Sequence, residues 1–315
     1  MGDDNLFSGV IAPVLTPYDA NLDPDPARFA DHAAWLLEDG CTGLAPFGTT
    51  GEALSLGLAE RRRLLDALLE AGIDPARLMP GTGLCSIPDT VELCRHAVEA
   101  GCGGVMVLPP FYFKGVSDDG VFEHFAEVID RIADARLRIY LYHIPPQAVI
   151  GFPVELVGRL IDAFPGVVVG LKDSSGDWSY TEALLAAYPG FRVLSGSETF
   201  LLDNLRHGGG GCITATGNVN ARRIRGVYDA WRAGNEDADE LQAGISALRA
   251  CIQAKPVIPA MKQLVAHYRD DPGWAAVRPP FRMLPAADGA ELRAALEGDH
   301  GYAPAFPRTE PARVA

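Results

Sequence analysis

The sequence predicts an α/β protein: a closed (β/α)8 TIM barrel with a C-terminal helical extension. Short apolar runs alternate with longer amphipathic stretches through two-thirds of the 315-residue chain, and eight such units can be counted. The runs are almost continuously apolar, as parallel strands covered on both faces are. From about Ala221 onward the strand pattern stops, and only helical patterns follow.

Each apolar run is predicted as one barrel strand. In chain order the predicted strands cover residues 10–15, 43–47, 78–82, 104–108, 138–142, 167–172, 191–195 and 211–215. The stretches between them carry apolar residues at helical spacing, for example Leu64, Leu65 and Leu68. A doubly wound open sheet is the alternative, but it would need about six strands and usually a glycine-rich first turn. Thr16-Pro17-Tyr18 follows the first run instead.

The pattern divides the chain into a barrel, residues 1–220, and a C-terminal helical extension, residues 221–315. Helical spacing predicts helices over residues 222–233, 238–267 and 287–297. The proline-rich tail after Tyr302 is expected to pack poorly, as terminal segments often do.

Composition limits the partners and the compartment. A formal net charge of −14 argues against a nucleic acid or an anionic membrane as partner, although a local pocket could still bind a small anion. The six cysteines lie far apart without a C-x-x-C pair, which indicates reduced thiols and a cytoplasmic location. Residues 1–10 lack the features of a leader peptide, and no apolar run reaches the length of a membrane span.

Several familiar catalytic motifs are absent from the sequence. It contains no P-loop, no dinucleotide fingerprint, no G-x-S-x-G and no H-E-x-x-H, and its seven histidines are scattered. We therefore expect no metal and no organic cofactor. The four glycines 208–211 precede the last predicted strand, so they are interpreted as a helix end and turn rather than a phosphate loop.

The active site of such a barrel lies at the C-terminal ends of its strands. Lys172 ends a run predicted to be buried on both sides, where loss of hydration favours the neutral, nucleophilic amine. The residue could equally reach solvent or pair with Asp173. Tyr142 alone is typical of a core tyrosine, Thr49 and Thr50 could simply cap a turn, and Glu52 is expected to be a structural partner of nearby backbone amides.

Three segments in order carry a resemblance to a known family: Gly48-Thr49-Thr50-Gly51-Glu52, Tyr142-x-x-Pro145 and Gly170-Leu171-Lys172-Asp173. Together they resemble the dihydrodipicolinate synthase / N-acetylneuraminate lyase family of pyruvate-dependent class I aldolases and lyases. The similarity spans nearly the whole chain, including residues 194–196, 212–215, 259–262 and 278–280. It implies a homotetramer built as a dimer of dimers, acting on pyruvate and an aldehyde.

The resemblance also implies catalytic roles for four residues. Lys172 matches the lysine that forms an imine with pyruvate or another 2-oxo acid, and Tyr142 matches the tyrosine that shuttles the proton. Thr49 matches the hydroxyl that links this tyrosine to a second one. Tyr112 matches that second tyrosine, which in many members comes from a neighbouring subunit.

Substrate-binding roles follow from the same resemblance. Thr50 matches the site that holds the pyruvate carboxylate, and Ile213 matches the contact beneath the pyruvate methyl. Two positions depart from the synthases, which have asparagine and a carboxylate-binding arginine where this chain has His143 and Gln147. Glu198 could accept hydrogen bonds from substrate hydroxyls, or it could cap the helix that begins near it.

The function predicted from these residues is carbon–carbon bond formation or cleavage between pyruvate and an aldehyde, with a 2-oxo acid or 2-oxo-3-deoxy sugar acid as substrate. The alternatives are the lysine-pathway synthase, 4-hydroxy-tetrahydrodipicolinate synthase, and a 2-oxo-3-deoxy sugar acid dehydratase. The non-enzyme alternative is a pyruvate-binding protein without catalytic activity.

Overall fold

A computed structural model describes residues 6–306 of the chain. Its centre is a curved parallel sheet of seven strands in the order β2-β1-β7-β6-β5-β4-β3. The strands are β1 (Gly9–Ala12), β2 (Gly43–Leu44), β3 (Val105–Val107), β4 (Ile139–His143), β5 (Val168–Asp173), β6 (Arg192–Ser195) and β7 (Gly211–Ile213). Seven of the eight predicted strands are therefore present as regular strands, each at its predicted place in the chain.

The remaining predicted strand, residues 78–82, is an extended segment that touches both edges of the sheet. Leu78 forms a parallel bridge with Leu44 beside β2, and Gly81 forms one with Met106 in β3. The segment is irregular because Pro80 has no N–H to donate. Gly81 is needed there, since an added Cβ would lie 2.1 Å from the carbonyl oxygen of Phe47.

Twelve α-helices follow or connect the strands in the described part of the chain. They are α1 (Pro26–Glu38), α2 (Leu58–Glu70), α3 (Ile87–Glu99), α4 (Asp118–Ile132), α5 (Pro145–Ala148), α6 (Val154–Ala163), α7 (Trp178–Ala187), α8 (Leu201–Arg206), α9 (Gly217–Ala233), α10 (Ala238–Gln253), α11 (Val257–Tyr268) and α12 (Ala286–Gly298). Asp25, Ser86, Ser117 and Asp177 cap α1, α3, α4 and α7 by accepting a hydrogen bond from a first-turn N–H.

The strands are buried on both faces, as their apolar sequences predict. One face packs against the helices in the main core, and the other contributes Ile11, Met106, Tyr140, Leu194 and Ile213 to a second, smaller cluster. Because side chains alternate along a strand, this second cluster fills the inside of the curved sheet. Polar side chains at the strand ends therefore lie directly above this apolar cluster.

The C-terminal helices are present, and α9 already begins at Gly217, just before the predicted boundary at residue 220. Asn220 departs from helical geometry, with φ −142° and ψ 24°. The prediction that the tail after Tyr302 packs poorly is wrong for its first residues, because the Phe306 and Trp35 rings lie 4.0 Å apart. Residues 307–315 of the predicted extension lie outside the described residues.

The glycines 208–211 follow α8 and lead directly into β7, where Gly9 N–H donates to the Gly210 carbonyl. All six cysteines are free thiols. Burial raises the pKa of Cys41 and of Cys94 to about 12, so these thiols are held in their unreactive form. Among residues 6–306, no helix is both long and apolar enough to cross a membrane.

Candidate active site

Lys172 and Tyr142 lie side by side at the carboxyl ends of β5 and β4. The parallel register pairs these two residues directly. Their side chains point to the same face of the sheet, and the Lys172 amine lies 4.3 Å from the centre of the Tyr142 ring. Both side chains line a cavity of about 320 Å³ at the mouth of the curved sheet. The other lining residues are Thr49, Thr50, Ile144, Gln147, Ser174, Gly196, Ile213, Ala215, Pro256, Val257, Ile258, Pro259 and Phe281.

Lys172 differs from the other three lysines of the chain in having no hydrogen-bond or ion-pair partner among residues 6–306. Lys114 donates to backbone carbonyls, Lys255 pairs with surface carboxylates, and Lys262 pairs with Glu52. Lys172 is only 4% exposed, so it does not reach bulk solvent. The two alternatives left open by the sequence, solvent exposure and pairing with Asp173, are therefore not what the structure shows.

Asp173 is occupied elsewhere, although it follows Lys172 directly. Its carboxylate accepts hydrogen bonds from the Ser175 N–H at 2.8 Å and the Thr181 hydroxyl at 2.5 Å. These bonds turn the acid away from the cavity and fix the loop after β5. The Lys172 amine consequently faces the cavity without a carboxylate partner among residues 6–306.

Tyr142 is hydrogen-bonded to Thr49, with 3.2 Å between the two hydroxyl oxygens. Tyr112, the third hydroxyl that the resemblance placed in this chain, lies apart from them in the single chain. It is 74% exposed, and its ring contacts Phe113 edge-on. The structure thus brings together three of the four predicted catalytic residues and leaves Tyr112 on the surface.

The turn that carries Thr49 and Thr50 is fixed by a buried ion pair. Glu52 ends this turn in the left-handed region, with φ 55°, and its carboxylate pairs with the amine of Lys262 from α11. The second carboxylate oxygen accepts a hydrogen bond from the Arg278 N–H at 3.1 Å. Glu52 therefore has a structural role, as the sequence predicts, and its chief partner is a lysine from the C-terminal extension.

Lys262 is a residue of this site that reasoning from the strand pattern missed. Burial lowers the pKa of its amine to about 8, against the opposing effect of the Glu52 carboxylate. Its only sequence signal was its place in the matched segment 259–262. Through Lys262 and the cavity residues 256–259, the C-terminal extension forms part of the site.

Three of the predicted substrate-binding residues line the cavity: Thr50, Ile213 and Gln147. Ile213 comes from the end of β7, and its neighbour Ala215 lines the cavity with it. Gln147 comes from the short helix α5 after β4 and offers a neutral amide. The cavity wall therefore combines hydroxyl, amide and apolar groups around the one amine.

Glu198 does not line the cavity, which corrects the prediction that it contacts substrate. The side chain is fully buried, and its carboxylate accepts hydrogen bonds from the hydroxyls of Thr214 and Thr216. It also forms an ion pair with Arg249 of α10. Both oxygens are thus engaged inside the protein. Ser197, rather than Glu198, caps the short 3₁₀-helix that follows.

His143, at the position where the synthases have asparagine, is a packing residue behind the cavity. Its Nδ1 accepts a hydrogen bond from the Phe152 N–H at 2.9 Å, and its ring stacks on Tyr180 at 4.0 Å. Burial lowers the pKa of His143 to about 4, while the nearby Asp173 carboxylate opposes this shift. The imidazole is therefore neutral at pH 7, with its proton on Nε2.

A second cavity, of about 200 Å³, adjoins the first one. Both cavities are lined by Thr49, Tyr142, Ile144, Gln147 and Phe281. The further residues of the second cavity include Gly48, Glu52, Leu54, Arg61, Met106, Leu108 and Phe111. The mouth of the sheet thus has two compartments with a common wall. Within the described residues, no group of three or more histidine, cysteine or acidic side chains could hold a metal ion.

This fold and site define a class of protein. A buried, unpaired lysine beside a hydrogen-bonded tyrosine and threonine, at the mouth of a parallel sheet, is typical of a lyase that works through a lysine imine.

The comparisons with known proteins agree with this class. The model of the dihydrodipicolinate synthetase family matches residues 6–298, so the chain belongs to this family. Its members are lyases of the class I aldolase type, and the chain is accordingly a pyruvate-dependent lyase or aldolase.

The relatives of this chain do not all have the same name. The chain is 34% identical to an uncharacterized DapA-like lyase of Chloroflexus aurantiacus, over 92% of this chain and 96% of that one. It is 32% identical to a 4-hydroxy-tetrahydrodipicolinate synthase of Agrobacterium fabrum, over 93% and 98%. Among solved structures, dihydrodipicolinate synthase from Agrobacterium tumefaciens superposes with a TM-score of 0.84 at 36% identity, over 92% and 98%. The Escherichia coli prophage protein YagE, solved in complex with pyruvate, gives 0.85 at 28%, over 93% and 98%.

Proposed function

We propose that the protein forms or cleaves a carbon–carbon bond between pyruvate and an aldehyde through an imine at Lys172. The observation that carries this proposal is the amine of Lys172, which is buried, unpaired among the described residues and 4.3 Å from the Tyr142 ring. The chemistry uses side chains alone, so the proposal includes no metal and no organic cofactor.

In the cleavage direction, the neutral amine of Lys172 attacks the 2-oxo carbon of the substrate and forms a carbinolamine. Water then leaves, with its proton supplied through the Tyr142 hydroxyl, and an iminium ion remains. The iminium accepts the electron pair of the breaking bond between the third and fourth carbons, while Tyr142 takes the proton of the 4-hydroxyl. The aldehyde departs, and protonation and hydrolysis of the resulting enamine release pyruvate and free the lysine.

Thr49 and Thr50 support this sequence in different ways. Thr49 lies 3.2 Å from the Tyr142 hydroxyl oxygen, so it orients that hydroxyl and can relay its proton. Thr50 lies on the same turn and lines the same cavity, where its hydroxyl and nearby backbone N–H groups would hold the pyruvate carboxylate. Ile213 would pack beneath the pyruvate methyl.

The aldehyde partner depends on Gln147, which lines both compartments of the mouth. Its neutral amide cannot form the bidentate, charge-assisted contact that an arginine gives a carboxylate. We therefore propose an aldolase of 2-oxo acids as the first candidate function. The lysine-pathway synthase, and a dehydratase that would use the same imine, are the second candidates. The test is a screen of 4-hydroxy-2-oxo acids and 2-oxo-3-deoxy sugar acids for pyruvate release. Water loss without pyruvate release would instead identify a dehydratase.

A homotetramer, built as a dimer of dimers, is part of the same proposal. Tyr112 is 74% exposed, and the neighbouring Phe113 and Val116 are exposed apolar residues, so this surface is suited to contact a second copy. If Tyr112 completes a neighbour's site, mixing inactive Lys172→Ala subunits with inactive Tyr112→Phe subunits should restore activity. No recovery despite proven subunit exchange would place Tyr112 outside the neighbour's site.

We infer that the sheet is a closed (β/α)8 barrel, supported by the bridges from Leu78 and Gly81 to its two edges. We also infer a cytoplasmic location, supported by six free cysteines.

A further inference from the structure

One wall of the cavity that contains Lys172 is apolar. We define this apolar wall as the lining residues from the loops after β5, β6 and β7 and from the C-terminal extension: Ser174, Gly196, Ala215, residues 256–259 and Phe281. Ser174 has the only side-chain hydroxyl on this wall, and none of these residues is charged. Within residues 6–306, Lys172 is the only charged side chain that lines the cavity.

The two acids closest to this wall along the chain do not contribute to it. The carboxylate of Asp173 is hydrogen-bonded within the loop after β5, and the buried Glu198 pairs with Arg249 of α10. Tyr142, Thr49 and Thr50 are assigned to the reacting end of the substrate, so Ser174 and Gln147 are the polar side chains that remain for the aldehyde part. A sugar chain with several hydroxyls would lose hydration here with few partners in return, which costs free energy.

The shape of this wall is fixed by close packing. An added Cβ at Gly196 would lie 2.2 Å from the Ser174 hydroxyl oxygen, so this position has no room for a side chain of any kind. Val257 and Ile258 form the first turn of α11 and are half-buried against the main core. Phe281 is 37% exposed at the mouth. Apolar side chains that stay partly exposed in a concave site indicate that an apolar part of a ligand covers them.

The reacting end of the substrate decides which part of it meets this wall. With the carboxylate at Thr50 and the third carbon above Ile213, the chain beyond that carbon extends into the rest of the cavity. We propose that this part of the substrate is an alkyl or aryl group that packs against Val257, Ile258 and Phe281. The substrate is then a 4-hydroxy-2-oxo acid with an apolar group on its fourth carbon, and cleavage gives pyruvate and the corresponding apolar aldehyde. This inference rests on the imine chemistry proposed above, and it selects such acids over polyhydroxylated sugar acids.

Two 2-oxo acids that cannot be cleaved measure this preference as binding. 2-Oxohexanoate and 5,6-dihydroxy-2-oxohexanoate have the same carbon chain, and both lack the 4-hydroxyl that cleavage requires. Each competes with labelled pyruvate for borohydride trapping at Lys172, and the half-saturating concentration of its open-chain form is measured. In wild type, 2-oxohexanoate should bind at least about 10-fold more tightly than the dihydroxy acid. Lengthening the chain from 2-oxopentanoate to 2-oxoheptanoate should tighten binding about 4-fold per methylene.

Variants then assign this preference to the apolar wall. The double variant Val257→Thr, Ile258→Thr adds two hydroxyls with little change of shape, and Phe281→Ser removes the ring at the mouth. Each should lower the preference by about 10-fold. Met283→Ser is the matched control, because Met283 is 62% exposed and lines neither cavity, and it should leave the preference intact.

Thermal unfolding checks that the variants fold, and the wild-type comparison stands even if one of them does not. Pyruvate trapping in wild type, together with equal or tighter binding of the dihydroxy acid, would overturn this inference alone. A preference that persists unchanged in both the folded double variant and folded Phe281→Ser would overturn it too. No pyruvate trapping in wild type would instead overturn the proposed function itself.

Discussion

The buried pair of Glu52 and Lys262 should control both the stability of the protein and the shape of its pyruvate site. Both side chains have no exposed surface, so the loss of either partner strands a buried charge. Lys262→Met, or Glu52→Gln, should each lower the free energy of unfolding by about 3 to 5 kcal/mol. The double variant leaves no stranded charge, and its glutamine can still accept from the Arg278 N–H. Its loss of unfolding free energy should therefore be about 2 to 3 kcal/mol smaller than the sum of the losses in the two single variants.

Denaturant unfolding of the four proteins at pH 7 gives this coupling energy directly. The concentration of pyruvate that half-saturates trapping should rise in both single variants, because the turn with Thr49 and Thr50 loses its anchor. Lys255→Met is the matched control: it removes a lysine from a more exposed ion-pair group, so the free energy of unfolding should stay close to that of wild type. Additive losses together with unchanged pyruvate binding would refute the role given to this pair.

Three further predictions concern single side chains. Tyr142→Phe removes only a hydroxyl and should slow turnover by about 10² to 10⁴, the usual effect of a positioned proton-transfer group, with unfolding unchanged within about 1 kcal/mol; near-wild-type turnover would make Tyr142 a core residue. Burial lowers the pKa of His32 to about 3. As pH drops, His32 is therefore protonated in the unfolded chain before it is protonated in the folded protein. This difference should lower the free energy of unfolding by about 1.4 kcal/mol per pH unit between about pH 6 and pH 4. His32→Phe should reduce that slope in denaturant unfolding, and equal slopes would contradict the assignment. Gln147→Arg should raise kcat/KM for aspartate semialdehyde by about 10- to 150-fold; efficient wild-type activity without any gain would restore the lysine-pathway synthase.

The strand order and the central residues of the site were predictable because parallel strands follow simple rules. Buried apolar runs identify strands, and parallel neighbours end at the same edge, so Tyr142 and Lys172 had to lie together. Thr49 follows an earlier strand and meets them at the same mouth. The resemblance gave these residues chemical roles that periodicity alone left open.

The parts that escaped prediction depend on contacts between distant segments. Glu198 looked available for substrate because its partner Arg249 lies on a helix whose position the strand pattern does not fix. Arg61 lies on a surface helix, where the sequence alone predicts a solvent-exposed charge. In the structure its side chain is buried and donates a hydrogen bond to the Ala53 carbonyl. Phe281 reaches the mouth from the C-terminal segment, so only the folded chain brings it to the cavity.

We expect Lys172 to be the amine that reacts with pyruvate, and because the chain has four lysines the labelled residue is easy to identify. Wild-type protein is incubated with pyruvate, reduced with borohydride, digested and mapped by peptide mass spectrometry. Lys172→Gln is the matched control. We expect one reduced pyruvate per chain, on the peptide that contains Lys172, and none in the control. Labelling of Lys114, Lys255 or Lys262 instead, or no labelling of well-folded protein, would contradict it.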